Sequence, residues 1–80
     1  MREIVKAFAE EMEKILDEKF GEYQDSWKDE PLDSLGTKLQ AQVSDFVLRD
    51  HLKMSKKDVI RTVAHAGNFC LFIFTRLNEL

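Results

Sequence analysis

Two polar side chains, His65 and Asn68, stand inside the most apolar stretch of the sequence, which covers residues 64–74. They are three positions apart, so on a helix they share one face and point about 60° from each other. Asp58 and Arg61 fall on the same side of that helix and extend the polar stripe. Polar groups that are buried need hydrogen-bond partners or a ligand, so the stripe is the first candidate for a functional site.

A second set of polar residues lies along the edge of the preceding predicted helix. Its members are spaced by four, three and four positions and are Lys38, Gln42, Asp45 and Arg49. The turn between the two helices is short, which makes them antiparallel neighbours. We therefore expect this edge to face the stripe that contains His65 and Asn68.

Two interpretations of this polar constellation are open. Oxygen ligands such as Asp45 and Gln42 suit Mg²⁺, whereas a mixed set that includes His65 suits Zn²⁺ or another transition metal. Alternatively, the side chains form a buried hydrogen-bonded network in which an arginine neutralises an aspartate. The pairs expected in that network are Asp45 with Arg61, or Asp58 with Arg49. Spacing alone does not choose between the two interpretations.

The rest of the sequence predicts the helices that must position these residues. Helix-forming residues dominate and apolar residues recur at helical spacing, which predicts one all-α domain over residues 1–80. The predicted helices cover residues 2–20, residues 31 to 51 or 52, and residues 55–80. Pro31 suits the first position of the second helix, with Asp29 or Glu30 as its cap. Ser55 and Asp58 form a capping box at the start of the third.

The third predicted helix is apolar on every side beyond Asn68, so it must be buried on every side. A chain of 80 residues buries only roughly 60–65% of its unfolded surface. We therefore expect a homodimer or homotetramer, in which the helical hairpin and the N-terminal helix assemble into a four-helix-type bundle. Residues 69–74 would lie in the shared core, with Cys70 as a small buried hydrophobe. Gly36 marks a weak point of the second helix or a close approach by another helix.

Composition excludes several functional classes. The net charge is −3 and the pI about 5.3, and no basic face is visible, which disfavours nucleic acid as a partner. The charged N-terminal helix does not resemble a signal peptide, and the longest apolar run is too short to span a bilayer. We expect a soluble, cytoplasmic protein without a membrane partner. Trp27, in a polar connection, either covers the core or borders a ligand pocket.

Several segments resemble one known family in the right order. Residues 27–35 read WKDEPLDSL, which is similar to the W-x-D-x-(S/P)-L-x-x-L segment of MazG-like proteins, the all-α nucleoside triphosphate pyrophosphohydrolases. Residues 8–16 resemble the helix that precedes this segment. Residues 39–46 align with the family's acidic E-x-x-E helix, and residues 63–73 with its A-x-D-x-x-N-F-x-x-(M/L)-I helix. The resemblance covers most of the chain.

This resemblance implies an oligomer of helical hairpins that uses Mg²⁺ to hydrolyse a nucleoside triphosphate to the monophosphate and pyrophosphate. The family's E-x-x-E acids fall on Gln42 and Asp45, and its E-x-x-D acids on Thr62 and His65. Such a site lacks about three of the negative charges on which Mg²⁺ affinity depends. The resemblance implies metal ligation by Asp45, His65 and Gln42. It implies substrate contacts from Asn68, Lys38, Arg49, Arg61 and Trp27.

The depleted set of acids leaves a second function open. The chain would then be a non-catalytic helical module of the same fold, which dimerises or binds a nucleotide or a partner protein. A different metal, or none, would accompany that function.

Overall fold

The computed structural model describes residues 1–19 and 26–79. They form three α-helices, α1 (Glu3–Glu18), α2 (Leu32–Val47) and α3 (Lys56–Asn78), and a short 3₁₀ turn over Ser26–Lys28. The described residues contain no strand, so the predicted all-α class is confirmed. The assembly of several copies into a larger bundle stays a prediction. No helix in this part of the chain combines the length and apolar character needed to cross a membrane.

Local sequence explains the start of α3. The Ser55 hydroxyl accepts a hydrogen bond from the Asp58 backbone N–H at 3.1 Å, and the Asp58 carboxylate accepts one from the Ser55 N–H at 3.4 Å. These two bonds are the predicted capping box. The Asp58 carboxylate is therefore engaged at the helix end, not in the polar stripe.

Regular α2 ends at Val47, several residues earlier than the sequence pattern predicts. The Arg49 N–H donates to the Phe46 carbonyl, three residues back, which tightens the winding beyond this point. The chain leaves the helical path at Lys53, whose φ of 54° is left-handed. Hydrogen bonds from Lys53 to Asp50 and from Met54 to Arg49 surround it in the pattern of a Schellman motif.

The start of α2 also differs from the prediction. Pro31 occupies the position before the helix, and no side chain caps it. Glu30 instead accepts hydrogen bonds from Lys38 at 2.6 Å and from Ser34 at 3.1 Å, both on α2. The bond to the Lys38 ammonium is the main reason that the pKa of Glu30 lies below its ordinary value.

Helix α3 is central, since it packs along α2 and also contacts α1. Leu35 packs against Phe69 and Phe72 at one end of the α2–α3 pair, while Gln42 borders Thr62 at the other. The two helices therefore form the predicted antiparallel hairpin. The buried apolar residues of the described chain are Ile15, Leu35, Ala64, Phe69 and Phe72.

Trp27 covers this core. Its ring stacks on that of Phe72, with 4.7 Å between the centroids and 9° between the planes. The Arg76 guanidinium donates to the backbone carbonyls of Trp27 and Glu30, which ties the segment before α2 to the end of α3. Trp27 therefore lies as a cover on the core, which is the first of the two positions that the sequence suggested for it.

The two helical glycines differ in their surroundings. A Cβ atom added to Gly67 would lie 2.6 Å from the ring of Phe8, so this glycine lets α1 approach α3 closely. A Cβ atom added to Gly36 would meet no atom within 4 Å. The close approach considered for Gly36 is therefore not made within one copy of the chain.

Candidate functional site

Asn68 is the most deeply buried polar residue of the predicted site, with 4% of its surface exposed. Its side-chain amide donates to the Met12 carbonyl of α1 at 3.2 Å. Its Oδ1 atom is buried and has no hydrogen-bond partner. An unsatisfied buried oxygen costs free energy, so the position is either suboptimal for stability or reserved for a ligand.

His65 lies one turn before Asn68 and is half-buried. Burial is the largest cause that holds the pKa of His65 below its ordinary value of 6.5. The positive charges of Arg61 and Lys19 act in the same direction, and Glu18 opposes them. The imidazole is therefore neutral at pH 7 and retains a nitrogen that can accept a proton or a hydrogen bond.

The arginines of the predicted network have other partners. Arg61 forms an ion pair with Glu18 of α1, and this bond raises the pKa of Arg61 and lowers that of Glu18. Arg49 donates to the Phe46 carbonyl at 3.0 Å and lies over the Phe46 ring. The expected pairs with Asp45 and Asp58 are therefore wrong, because Arg61 faces α1 and Asp58 caps α3.

Gln42 and Asp45 lie apart from Asn68. Gln42 is half-buried and borders a cavity of about 320 Å³ between α2 and α3, next to Thr62 and Ala66. Asp45 is exposed, and its carboxylate makes no hydrogen bond or ion pair with another described residue. Asn68 and the charges around His65 lie toward α1, so one copy of the chain does not gather these residues around a common point.

Lys38 also lies outside any shared site, because its ammonium is held by Glu30 at 2.6 Å. Residues 1–19 and 26–79 contain no group of three or more His, Cys, Asp or Glu side chains placed to hold one metal ion. The Mg²⁺ ligand set that the resemblance implies, with Asp45, His65 and Gln42, stays a prediction.

Sequence reasoning expected α3 to need cover from another copy, but it did not foresee that all three helices share one exposed apolar face. A groove of about 550 Å³ runs along it and joins the smaller cavity beside Gln42 through shared residues. We call the exposed large side chains of these two cavities the apolar face. They are Phe8, Val43, Phe46, Val63, Leu71 and Phe74.

Cys70 lines the same groove and is exposed in one copy of the chain, so its burial in a shared core stays a prediction. Phe69 and Phe72 are buried in the core and Ile73 packs against it, while Cys70, Leu71 and Phe74 are exposed. The sequence pattern did not indicate which of residues 69–74 the protomer itself buries, because apolar residues lie on every side of this part of α3.

A second unforeseen feature is a cleft between α1 and the first turns of α3. Four cationic side chains line it, of which Lys56 and Lys57 begin α3 and Arg61 follows one turn later. The adjacent lysines were a visible signal, but Lys14 of α1 joins them only through the tertiary packing. Comparison with known protein families, with curated proteins and with solved structures finds no match to the chain.

Proposed function

We propose that this protein is a helical assembly module that forms a homodimer through the apolar face. The observation that carries the proposal is the exposure of this face, on which Phe74 is 66% and Val43 48% exposed. With roughly 150–200 Å² for a whole side chain of these types, the face exposes on the order of 500 Å². Patches of this size on soluble proteins often mark interaction sites.

The size of the apolar face agrees with the same proposal. A standard protein interface buries about 800 Å² of each partner. A second copy of this chain is the occupant that presents the same exposed apolar face.

The composition of the face favours a homodimer in particular. If about 800 Å² of each copy is buried, the apolar face supplies close to two-thirds of it, and homodimer interfaces are about 65% apolar. In a dimer with two-fold symmetry, the apolar face of one copy packs against the same face of the other copy. The groove of each copy then receives the side chains that project from its partner. Phe74, the most exposed member, is the natural anchor for the partner's groove.

Analytical ultracentrifugation of the purified protein tests the proposal. We expect twice the protomer mass for the natural chain and 9.4 kDa for Phe74→Asp, because a carboxylate in an apolar interface has no partner. Phe74 is outside the protomer's core, so the variant keeps its helical circular dichroism. Leu52→Asp is the matched control, since Leu52 is 52% exposed and lies in the α2–α3 turn outside the apolar face. Loss of the dimer in both variants, or a monomeric natural chain, contradicts the proposal.

The second candidate is the nucleoside triphosphate pyrophosphohydrolase that the MazG-like resemblance implies. One observation favours it: a neutral imidazole at His65 stands one turn from Asn68, whose buried Oδ1 lacks a partner. Deeply buried polar atoms without partners are rare, and a ligand is one explanation for them. The resemblance supplies the reaction, and the incomplete ligand set of one protomer means that a second copy would have to complete the site.

A pyrophosphate-release assay tests this candidate separately from dimerisation. The purified protein is given a panel of canonical and modified nucleoside triphosphates, with Mg²⁺, Mn²⁺ or Zn²⁺ in turn. Release that Asp45→Ala abolishes supports the enzyme. The exposed Asp50 provides the control Asp50→Ala, which should retain activity. Absence of release with every pair rejects the second candidate and leaves the assembly module intact.

A further inference from the structure

The cleft between α1 and the start of α3 concentrates positive charge on an otherwise acidic protein. Its volume is about 450 Å³. We call it the basic cleft, and its lining residues are Glu11, Lys14, Glu18, Lys56, Lys57, Ile60 and Arg61. Four cations and two carboxylates line it, so its formal charge is +2, whereas the whole chain carries −3.

The two carboxylates engage only part of this positive charge. Lys14 lies 3.5 Å from Glu11, and Arg61 is paired with Glu18. Both pairs are exposed, so an incoming anion can compete for their cations at little cost. Lys56 and Lys57 make no ion pair with any residue in the part of the chain that the structure describes. The uncompensated charge of the cleft therefore lies at the beginning of α3.

The backbone adds donors at the same place. The first helical hydrogen bond of α3 runs from Val59 to Ser55, and the Asp58 N–H is used by the capping box. The N–H groups of Lys56 and Lys57 precede these bonds, at the positive end of a helix of 23 residues. That end carries about half a positive charge, which the Asp58 carboxylate of the capping box offsets in part, and free N–H groups there bind phosphate oxygens.

The neighbouring histidine responds to the same field. Burial is the main cause that holds the pKa of His65 below its ordinary value; the charges of Arg61 and Lys19 act in the same direction, and Glu18 opposes them. The four cations that line the cleft are what favour an anionic ligand over a cation.

We infer that the basic cleft binds a small oligophosphate anion, of the class of inorganic pyrophosphate. Cations on two different helices call for an anion with several oxygens that reach both walls, which a single carboxylate does not offer. Phosphate oxygens accept charge-assisted hydrogen bonds from lysine and arginine and from the α3 amides. The lining residues of the cleft are distinct from those of the apolar face, so binding is independent of self-association.

Isothermal titration calorimetry with pyrophosphate, at low ionic strength and without metal, tests the inference. The variant Lys56→Gln/Lys57→Gln removes the two uncompensated charges. We expect it to bind at least about tenfold more weakly than the natural chain, because charge-assisted bonds are lost. The control Arg2→Gln/Lys6→Gln makes the same change in net charge at exposed positions outside the cleft, and it should bind nearly as well as the natural chain.

A variant of opposite sign sharpens the test. Glu18→Gln removes a negative charge from the cleft and frees Arg61, so it should bind pyrophosphate several-fold more tightly than the natural chain. Added NaCl should weaken binding in all variants that bind. Circular dichroism confirms that each variant retains its helices before its affinity is interpreted.

Three results would overturn the inference. They are no detectable heat of binding for the natural chain, equal losses in the cleft and control double variants, and weaker binding by Glu18→Gln in a protein that keeps its helices. Titration with tripolyphosphate and with a nucleoside triphosphate then compares free and nucleoside-linked phosphates. If the cleft recognises phosphate, at least one of these two ligands must compete with pyrophosphate. Failure of both to compete contradicts the assignment.

Discussion

Replacement of Asn68 by leucine should stabilise the protein, although it removes a buried hydrogen bond. The bond from Nδ2 to the Met12 carbonyl contributes about 0.5–1.5 kcal/mol. Met12 lies within α1, where its carbonyl also accepts a helical bond from Leu16, so the substitution leaves no orphaned acceptor there. The unpartnered Oδ1 of Asn68 costs about 1–3 kcal/mol, and leucine removes that cost.

The net effect of Asn68→Leu is a gain of about 1 kcal/mol, because leucine has the same branched skeleton and buries more apolar surface. For a chain of this length such a gain raises Tm by roughly 4–8 °C. Thermal unfolding is followed by circular dichroism at one fixed protein concentration, since association would make Tm depend on concentration.

Asn78→Leu is the matched control for this prediction. Asn78 is on the same helix, is exposed, and donates a similar hydrogen bond to the carbonyl four residues back. We expect a change within about 0.5 kcal/mol there. A fall in Tm for Asn68→Leu of more than about 4 °C refutes the reasoning, because it would mean that Oδ1 has a stabilising partner in the folded protein.

Two further predictions concern the backbone, and one concerns pH. Gly36→Ala should stabilise the fold by up to about 1 kcal/mol, measured by urea denaturation, since no atom lies within 4 Å of the added Cβ; a loss of stability would contradict this. Lys53→Gly should add about 1 kcal/mol in the same assay, because φ is 54° there, and an unchanged midpoint would argue against the left-handed turn. The folded-state pKa of His65 is depressed, so its contribution to stability is fully present above pH 6.5 and declines as the pH falls below that value. His65→Gln should reduce the fall in the free energy of unfolding with decreasing pH, by less than about 1 kcal/mol per pH unit. The control is His51→Gln, at an exposed position, and it should leave this pH dependence unchanged.

Local signals in the sequence predicted local structure well. The capping box at Ser55 and Asp58 depends on residues three apart, and the structure contains it. The antiparallel α2–α3 hairpin followed from two apolar stripes joined by a short turn. The end of α2 was placed too late because the helical winding continues beyond Val47 up to the left-handed Lys53.

The sequence did not predict which side chains from different segments would contact each other. Arg61 pairs with Glu18, not Asp45, because the position of α1 depends on how it packs against α3 after a long connection. Nothing local indicates that Glu30 prefers Lys38 and Ser34 to the end of α2. The contacts of one protomer likewise do not join Gln42 to Asn68, since Gln42 borders the α2–α3 cavity and Asn68 donates to Met12 of α1.

Cys70 illustrates a different limit. An apolar run predicts burial without saying whether the cover comes from the same chain or from another. The structure places Phe69 and Phe72 inside the protomer and leaves Cys70 exposed in the groove of the apolar face. Association of two copies would reconcile the sequence pattern with this exposure.

The mass of the natural chain in solution tests the central proposal most directly. Sedimentation equilibrium over a dilution series should give twice the 9.4 kDa protomer mass at high concentration. Phe74→Asp should remain at the protomer mass throughout. A natural chain that stays at the protomer mass at every concentration would contradict the homodimer and leave the apolar face without the partner assigned to it.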